Sequence, residues 1–291
     1  RIIVPFAPGG AREMPARAIQ QELSQETGQN WIIESKPGAG GAIGTAFVSK
    51  AAPDGKTLLM AASSHFVTAA MGARPFYEPV KEFAPVANIG NQSYILMVNA
   101  SVPVKTAGEF IQYAKSKPGV LNYNSAGVGS STHLAMAYFA KTADIDMVHV
   151  PLKATGEAIN EVISGRAQAV IAASIGALAF AKDSRIRLLG VTSPKRSKYL
   201  PDLPPLADSG LPGYQFDSWF GFVGPAATSH AQADRINAAV GKLLKDPAIL
   251  ERLDKQGIEP TSMSNADFGK LLAADYQRMA AVVKAAGTKL D

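Results

Sequence analysis

Short apolar runs, each leading into a loop of Gly, Ser and Ala and then into a helix-forming segment, constrain this chain more than any other feature. The pattern starts at once. "RIIV" reads as a strand, "PFAPGGAR" as its turn, and a helix is expected from Arg12 to Glu26. Met14, Ile19 and Leu23 fall on one helical face, Pro15 suits a first turn, and Gly28 is a stop signal. "NWIIES" is the next strand candidate, "KPGAGGAIG" the next loop, and a second helix passes through Phe47 and Val48. "KTLLMA" is a third strand, ending in the small polar run Ala62 to His65. This βαβαβ order predicts a mainly parallel sheet with helices on its faces.

A second series begins at the extended segment "YILMVNASVPV", Tyr94 to Val104. Thr106 and Glu109 have the capping-box spacing for the helix "AGEFIQYAKS". "LNYNSAGVGSSTH" repeats the plan of strand, small-residue loop and helix. "DMVHVP", "QAVIAAS" and "RIRLLGVTS" are strands, and "GEAINEVIS" is a helix closed by Gly165. "PKRSKYLPDLPPLADSGLPG" is too rich in Pro and Gly to be regular. "FDSWFGFVGP" is extended again, and three helices follow, the first capped by Thr228 or Ser229 and the last spanning Ala266 to Ala286. This helical tail, with one short strand in "IEPTSM", makes a poor third domain and is expected to return to cover the first sheet. The expectation is an α/β protein of two lobes, residues 1–98 with 221–291 and residues 99–220. Two extended crossovers, near Val98–Ser101 and Trp219–Gly224, join them. Ligands of open α/β sheets bind beyond the carboxyl ends of strands, so those ends are expected to face a shared cleft.

At 291 residues the chain is long enough for two cores or one large α/β unit. With no Cys, neither disulfides nor thiolate metal sites are available. The 29 Lys and Arg outnumber the 24 Asp and Glu, but they are spread out, and the densest group, "SPKRSKY", reads as a solvated loop. A basic stripe interleaved with aromatics is missing, which argues against a nucleic-acid partner. The sign of the charge suits a small acidic ligand or an anionic surface. No apolar run approaches the roughly 18 residues of a membrane span. Because the sequence opens inside its first strand, removal of an N-terminal segment such as a secretion signal is expected. The totals alone suit a cytosolic protein equally well.

Three loops between a strand and a helix are candidate anion sites: Ala7 to Arg12, Pro37 to Gly44 and Ser125 to His133. Helix N-termini present unpaired N–H groups and partial positive charge, and Ser130, Ser131 and Thr132 add hydroxyls. Each loop, taken alone, is explained equally well as a simple cap. "GKT" at Gly55 to Thr57 lacks the glycine of a Walker A loop and enters a strand, and "GAGGAIG" has Ile43 where a dinucleotide fingerprint needs Gly. His65 beside Ser63 and Ser64, and His133 beside Ser130 and Ser131, would suit an acyl- or phosphoryl-transfer enzyme. Neither pair has a nucleophile elbow or an evident acidic partner. His149 reads as a packed or half-buried histidine and His230 as exposed. No cluster has metal-ligand spacing. Arg12, in the first turn of a helix, opposes the helix dipole; it either meets a bound anion or is solvated and paired with Glu13 or Glu22. Trp219 either packs on a ligand or fills the lobe junction.

Taken in order, "VPFAPGG", "ESKPGAGGAIG", "AAPDGKTLL", "YEPVKEFAPV", "LNYNSAGVGSSTHLA", "VHVPLK", "LLGVTSPKRS", "LPDLPPLADSGLPG" and "SWFGFVGPA" resemble the Bug family along essentially the whole chain. That family comprises the periplasmic solute-binding receptors of tripartite tricarboxylate transporters. The resemblance implies a two-lobed periplasmic binding protein of the Venus-flytrap, type II-like kind, exported by a signal peptide; from the residues, a monomer without cofactor, metal or catalysis is expected. Its implied ligand is a small organic acid, passed to membrane permease subunits. By motif match the implied contacts are Phe6, Ala7, Gly9 and Gly10 in one lobe, and Ser125, Ala126, Gly129, Ser130 and Ser131 in the other. Thr132, Ser174, Trp219, Arg12 and the strand end Ser63, Ser64 and His65 complete the candidate set. The chain departs from the family pattern at Arg12 and Glu13, at Leu152 and Ala154, and at Ala172 and Ala173, where many members carry Asp-Asn. Without an acidic group there to meet an ammonium, a non-amino mono- or dicarboxylate, aliphatic or aromatic, is expected.

Overall fold

Ile2, Ile3 and Val4 form strand β1 (Ile2–Val4), and all three are fully buried. A strand buried on both faces has to be covered on both, which is the position of an inner strand in a parallel sheet. β1 pairs in parallel with β2 (Ile33–Ser35) on one side and β3 (Leu58–Ala62) on the other. In the computed structural model the described residues are 1–6, 8, 13–71 and 77–287. The helix after β1, α1 (Met14–Thr27), carries Pro15 in its first turn and ends at Gly28 with φ 63°, the left-handed stop its sequence predicts.

The chain divides into two compact bodies, Arg1–Asn91 with Ser218–Ala281, and Gln92–Asp217 with residues 282–287. The first sheet runs β2-β1-β3-β9-β4, where β9 is Asp217–Pro225 and β4 is Phe83–Asn99. β9 is antiparallel to β3, and β10 (Glu259–Pro260) is antiparallel to the start of β4. Ile19 and Leu23 of α1 share one core with Ile2, Val4, Leu58 and Phe222 of the sheet. Ile236 and Val240 of α8 (His230–Leu243) and Ile249 and Leu253 of α9 (Pro247–Asp254) complete it, so these helices of the tail pack on the first sheet. α8 is capped by Ser229, whose hydroxyl accepts the Gln232 N–H, and α10 (Asn265–Ala286) follows.

β4 is where sequence and structure part. The strand starts at Phe83 instead of Tyr94 and runs from the first body into the second. Pro85 and Gly90 hide its first half, since both weaken a strand pattern. Gly90 is needed because a Cβ there would lie 2.6 Å from the Glu259 carbonyl of β10. The bodies accordingly divide at Asn91/Gln92 and Asp217/Ser218, ahead of the crossovers expected near Val98 and Trp219.

In the second body the end of β4 pairs antiparallel with β7 (Ala169–Ala173) and β8 (Ile186–Val191), and β5 (Asn122–Ser125) lies parallel to β7 and β6 (Val148–Pro151). Ile95, Met97, Val170 and Val191 form its core with Ile159 and Val162 of α6 (Thr155–Ile163). Thr106 caps α4 (Ala107–Lys115) by accepting the Glu109 N–H at 3.1 Å, while the Glu109 carboxylate takes the Lys105 amide at 2.6 Å. The capping box thus closes one residue earlier than the usual pattern. The long Pro-rich connection contains a short 3-10 turn, Leu206–Ser209, and a single parallel bridge from Pro205 to Val191.

Candidate functional site

In the second body the loop that follows β5 is bent by two glycines with positive φ, Gly127 at 106° and Gly129 at 75°, a conformation that favours glycine. The bends bring its hydroxyls back onto its own backbone. Thr132 Oγ1 accepts the Ala126 N–H at 2.8 Å, and Ser125 Oγ accepts the Gly127 N–H at 3.1 Å. Ser130 caps α5 (Ser131–Ala143): its hydroxyl accepts the His133 N–H and donates to the Gly127 carbonyl at 2.7 Å. The loop therefore sits at the positive end of a 13-residue helix. Ser174 opens α7 (Ser174–Leu178) directly after Ala173 and is buried.

Two imidazoles back this loop. His149, half-buried on β6, has Nε2 2.7 Å from Ser125 Oγ. His133 stacks on it with ring centroids 4.0 Å apart, and its Nδ1 accepts the Gly129 N–H at 3.1 Å. Tyr123 stacks beside both rings, 4.9 Å from His149 and 6.5 Å from His133 between centroids. Burial, then the neighbouring His149, holds the His133 pKa down to about 4, and burial lowers that of His149. Both rings are therefore neutral at neutral pH. The bond from His149 to Ser125 is a contact the sequence did not signal, because the register that sets Tyr123 opposite His149 is a cross-strand relation.

In the first body a small hollow is lined by Phe6, Thr45, Ser64, His65, Tyr77 and Phe220, among others. Ser64 and His65 begin α3 (Ser64–Met71), a helix absent from the sequence expectation; it is seeded where Phe66 N–H bonds the Ser63 carbonyl. His65 is buried, edge-on to Phe66 and Phe83 and stacked on Tyr77. Its Nε2–H donates to the Pro79 carbonyl at 2.8 Å, its buried Nδ1 has no hydrogen-bond partner among the described residues, and burial lowers its pKa to about 4. Ser63 Oγ accepts the Trp219 N–H at 3.3 Å. The Trp219 indole is buried against Phe66 and Phe268 and donates to Asp275.

Ala7, Gly9, Gly10 and Arg12 lie outside the described residues. Glu13 pairs with Arg17, and Glu22 with Arg252. The serine–histidine pairs weighed for catalysis are not hydrogen-bonded through their rings: His65 faces Pro79, and His133 faces Gly129. Among the described residues no group of three His, Asp or Glu is placed to hold a metal ion.

The architecture is the mixed α/β fold of the periplasmic solute-binding proteins. Residues 15–288 match the tripartite tricarboxylate transporter family receptor, and the chain belongs to that family. BugT of Bordetella pertussis is 28% identical over 292 residues, covering 100% of this chain and 90% of its own length. An R. palustris protein solved with adipate is 30% identical with a TM-score of 0.82, covering 99% of this chain and 97% of the other. MatC from Rhodopseudomonas palustris, solved with bound malate, is 29% identical with a TM-score of 0.78 and 97% coverage of both chains.

Proposed function

We propose that this chain is a periplasmic receptor that captures a small mono- or dicarboxylate and delivers it to the membrane permease of a tripartite transporter. In this reading the candidate ligand contacts are Phe6, Ala7, Gly9, Gly10 and the strand end Ser63 to His65, together with Ser125, Ala126, Gly129, Ser130, Ser131, Thr132 and Ser174. Arg12 adds a charge to the first set, and Trp219 supports Ser63. The observation that carries the reading is that two structures similar along nearly the whole chain were solved with dicarboxylates, adipate and malate. The loop after β5 supports it, since an anion is stabilised by preorganised N–H and O–H dipoles at a helix N-terminus. β7 ends in Ala172 and Ala173, which offer no carboxylate to an ammonium group, and this favours acids without an amine.

Isothermal calorimetry against adipate, malate, aromatic acids, tricarboxylates, aspartate and glutamate tests the proposal. The expected result is saturable binding of at least one non-amino acid, without turnover, and thermal stabilisation that grows with ligand concentration. Binding of amino acids alone would remove the proposed ligand class, and product formation would favour an enzyme. In the Arg12→Ala variant a weaker affinity for the best acid is expected; an unchanged one takes Arg12 out of the site.

A further inference from the structure

Besides the hydroxyls of Thr132 and Ser130, two imidazoles fasten the ligand loop of the second body. The Gly129 N–H can donate to His133 Nδ1 only while that nitrogen keeps its lone pair, so the ring proton is on Nε2. At the other end His149 Nε2 meets Ser125 Oγ at 2.7 Å, and the same oxygen receives the Gly127 N–H. The rings lie 14° from parallel with centroids 4.0 Å apart, so a second positive charge beside the first is strongly disfavoured.

The surroundings supply no charge that would change this. From β5 the stack is met by Tyr123, whose phenol burial pushes up to about 12. β7, packed against α5, carries only Ala, Val and Ile. On α5 itself the only charged side chain is Lys141, in the last turn. Tyr214 and Tyr138, which stack on each other at α5, are phenols. Among the described residues no Asp, Glu, Lys or Arg bonds either ring.

We propose that His133 and His149 are positioning residues of the ligand loop, His133 fixing the Gly129 amide as a neutral acceptor and His149 fixing Gly127 through Ser125. The ligand part rests on the function proposed above; the loop part does not. Burial keeps the proton off His133 until the pH approaches about 4. The loop therefore holds its shape from neutral pH down to about 5 and loosens below that.

The test follows amide protection factors at Gly129 and Gly127 by hydrogen exchange in the protein without ligand. A second arm measures adipate and malate affinity by calorimetry. His133→Asn offers an oxygen near the position of Nδ1 and does not titrate; His133→Phe keeps a ring for the stack and has no acceptor. His133→Phe is expected to lower Gly129 protection at least tenfold and to weaken the acid that binds by a similar factor. His133→Asn is expected to restore both to within about threefold of wild type. In wild type, Gly129 protection falls between pH 5 and pH 3.5, and in His133→Asn it stays flat, a comparison that does not require the acceptor-deleted His133→Phe variant to fold. Equal Gly129 protection in wild type and His133→Phe, or the same acid profile in wild type and His133→Asn, overturns the proposal. If neither acid binds wild type while the exchange results hold, the ligand assignment fails and the positioning role stands.

Discussion

The Trp219 indole donates its Nε1–H to the Asp275 carboxylate at 2.7 Å, tying β9 to α10 inside the first body. Arg278 donates to the other oxygen through Nε at 3.0 Å, and Asp275 is only 2% exposed. A buried carboxylate held by two donors is costly to break from one side. Asp275→Ala is therefore expected to lower the unfolding free energy by about 3–5 kcal/mol. Trp219→Phe keeps the aromatic packing and removes one charge-assisted hydrogen bond, a loss of about 1.5–3 kcal/mol. Urea unfolding with an unchanged m-value measures both. An Asp275→Ala protein about as stable as wild type would mean that the buried carboxylate does not anchor the helix.

His65 predicts a dependence on acid. Its folded pKa, about 4, lies below the ordinary imidazole value of 6.5, so the fold favours the neutral ring. Its contribution is fully present above pH 6.5 and is lost as the pH falls from 6.5 towards 4. Over the whole window the loss amounts to roughly 3 kcal/mol. In His65→Gln the side-chain amide can still donate to the Pro79 carbonyl and carries no titrating group. Its stability at pH 7 is expected to be lower, because the contacts with Phe66, Tyr77 and Phe83 shrink. Its decline between pH 6.5 and pH 4 is expected to be shallower than that of wild type. Parallel curves for the two proteins would show that the ring is not held neutral.

Much of the fold was legible in the sequence because local chemistry announces it. Gly28 and Gly165 stop helices, Ser229 caps one, and the alternation of strands and helices is written in apolar runs. What stayed hidden depends on partners far along the chain. The first half of β4 needs β9 and β10 beside it before Pro85 and Gly90 are tolerable, and α3 begins in a polar run whose helical start depends on the Ser63 carbonyl. At the candidate site, the Gly and Ser composition marked the loop after β5. The bond from His149 to Ser125 did not show, because parallel register between β5 and β6 leaves no mark in either segment alone. Trp219 was ambiguous for the same reason: only the fold supplies Asp275.

Gly44 gives "GAGGAIG" a structural meaning in place of a nucleotide-binding one. A Cβ at Gly44 would lie 2.7 Å from the Lys36 carbonyl and 2.9 Å from Pro5 Cα, so α2 (Ala42–Ser49) meets the end of β1 backbone to backbone. Both neighbours are main chain and yield little. Gly44→Ala is expected to cost about 1–3 kcal/mol and to shift the amide resonances of Phe6 and Lys36. A variant as stable as wild type with those resonances in place would show that the contact has slack.

Ser130 and Thr106 are both helix caps, and comparing them separates capping from loop support. Thr106→Ala removes one acceptor for the Glu109 N–H on an exposed helix end, a loss of about 1 kcal/mol. Ser130→Ala removes the acceptor for the His133 N–H and also the donor to the Gly127 carbonyl. Its expected cost is larger, about 2 kcal/mol. The two should part further in binding. Thr106 lies on α4, away from the β5 loop in sequence, so Thr106→Ala is expected to leave adipate and malate affinity unchanged. Ser130→Ala, which frees the turn at Gly127, is expected to weaken whichever acid binds by about tenfold, the equivalent of about 1.4 kcal/mol. Equal affinities for the two variants would mean that Ser130 only starts a helix and that the loop takes its shape from Ser125 and Thr132.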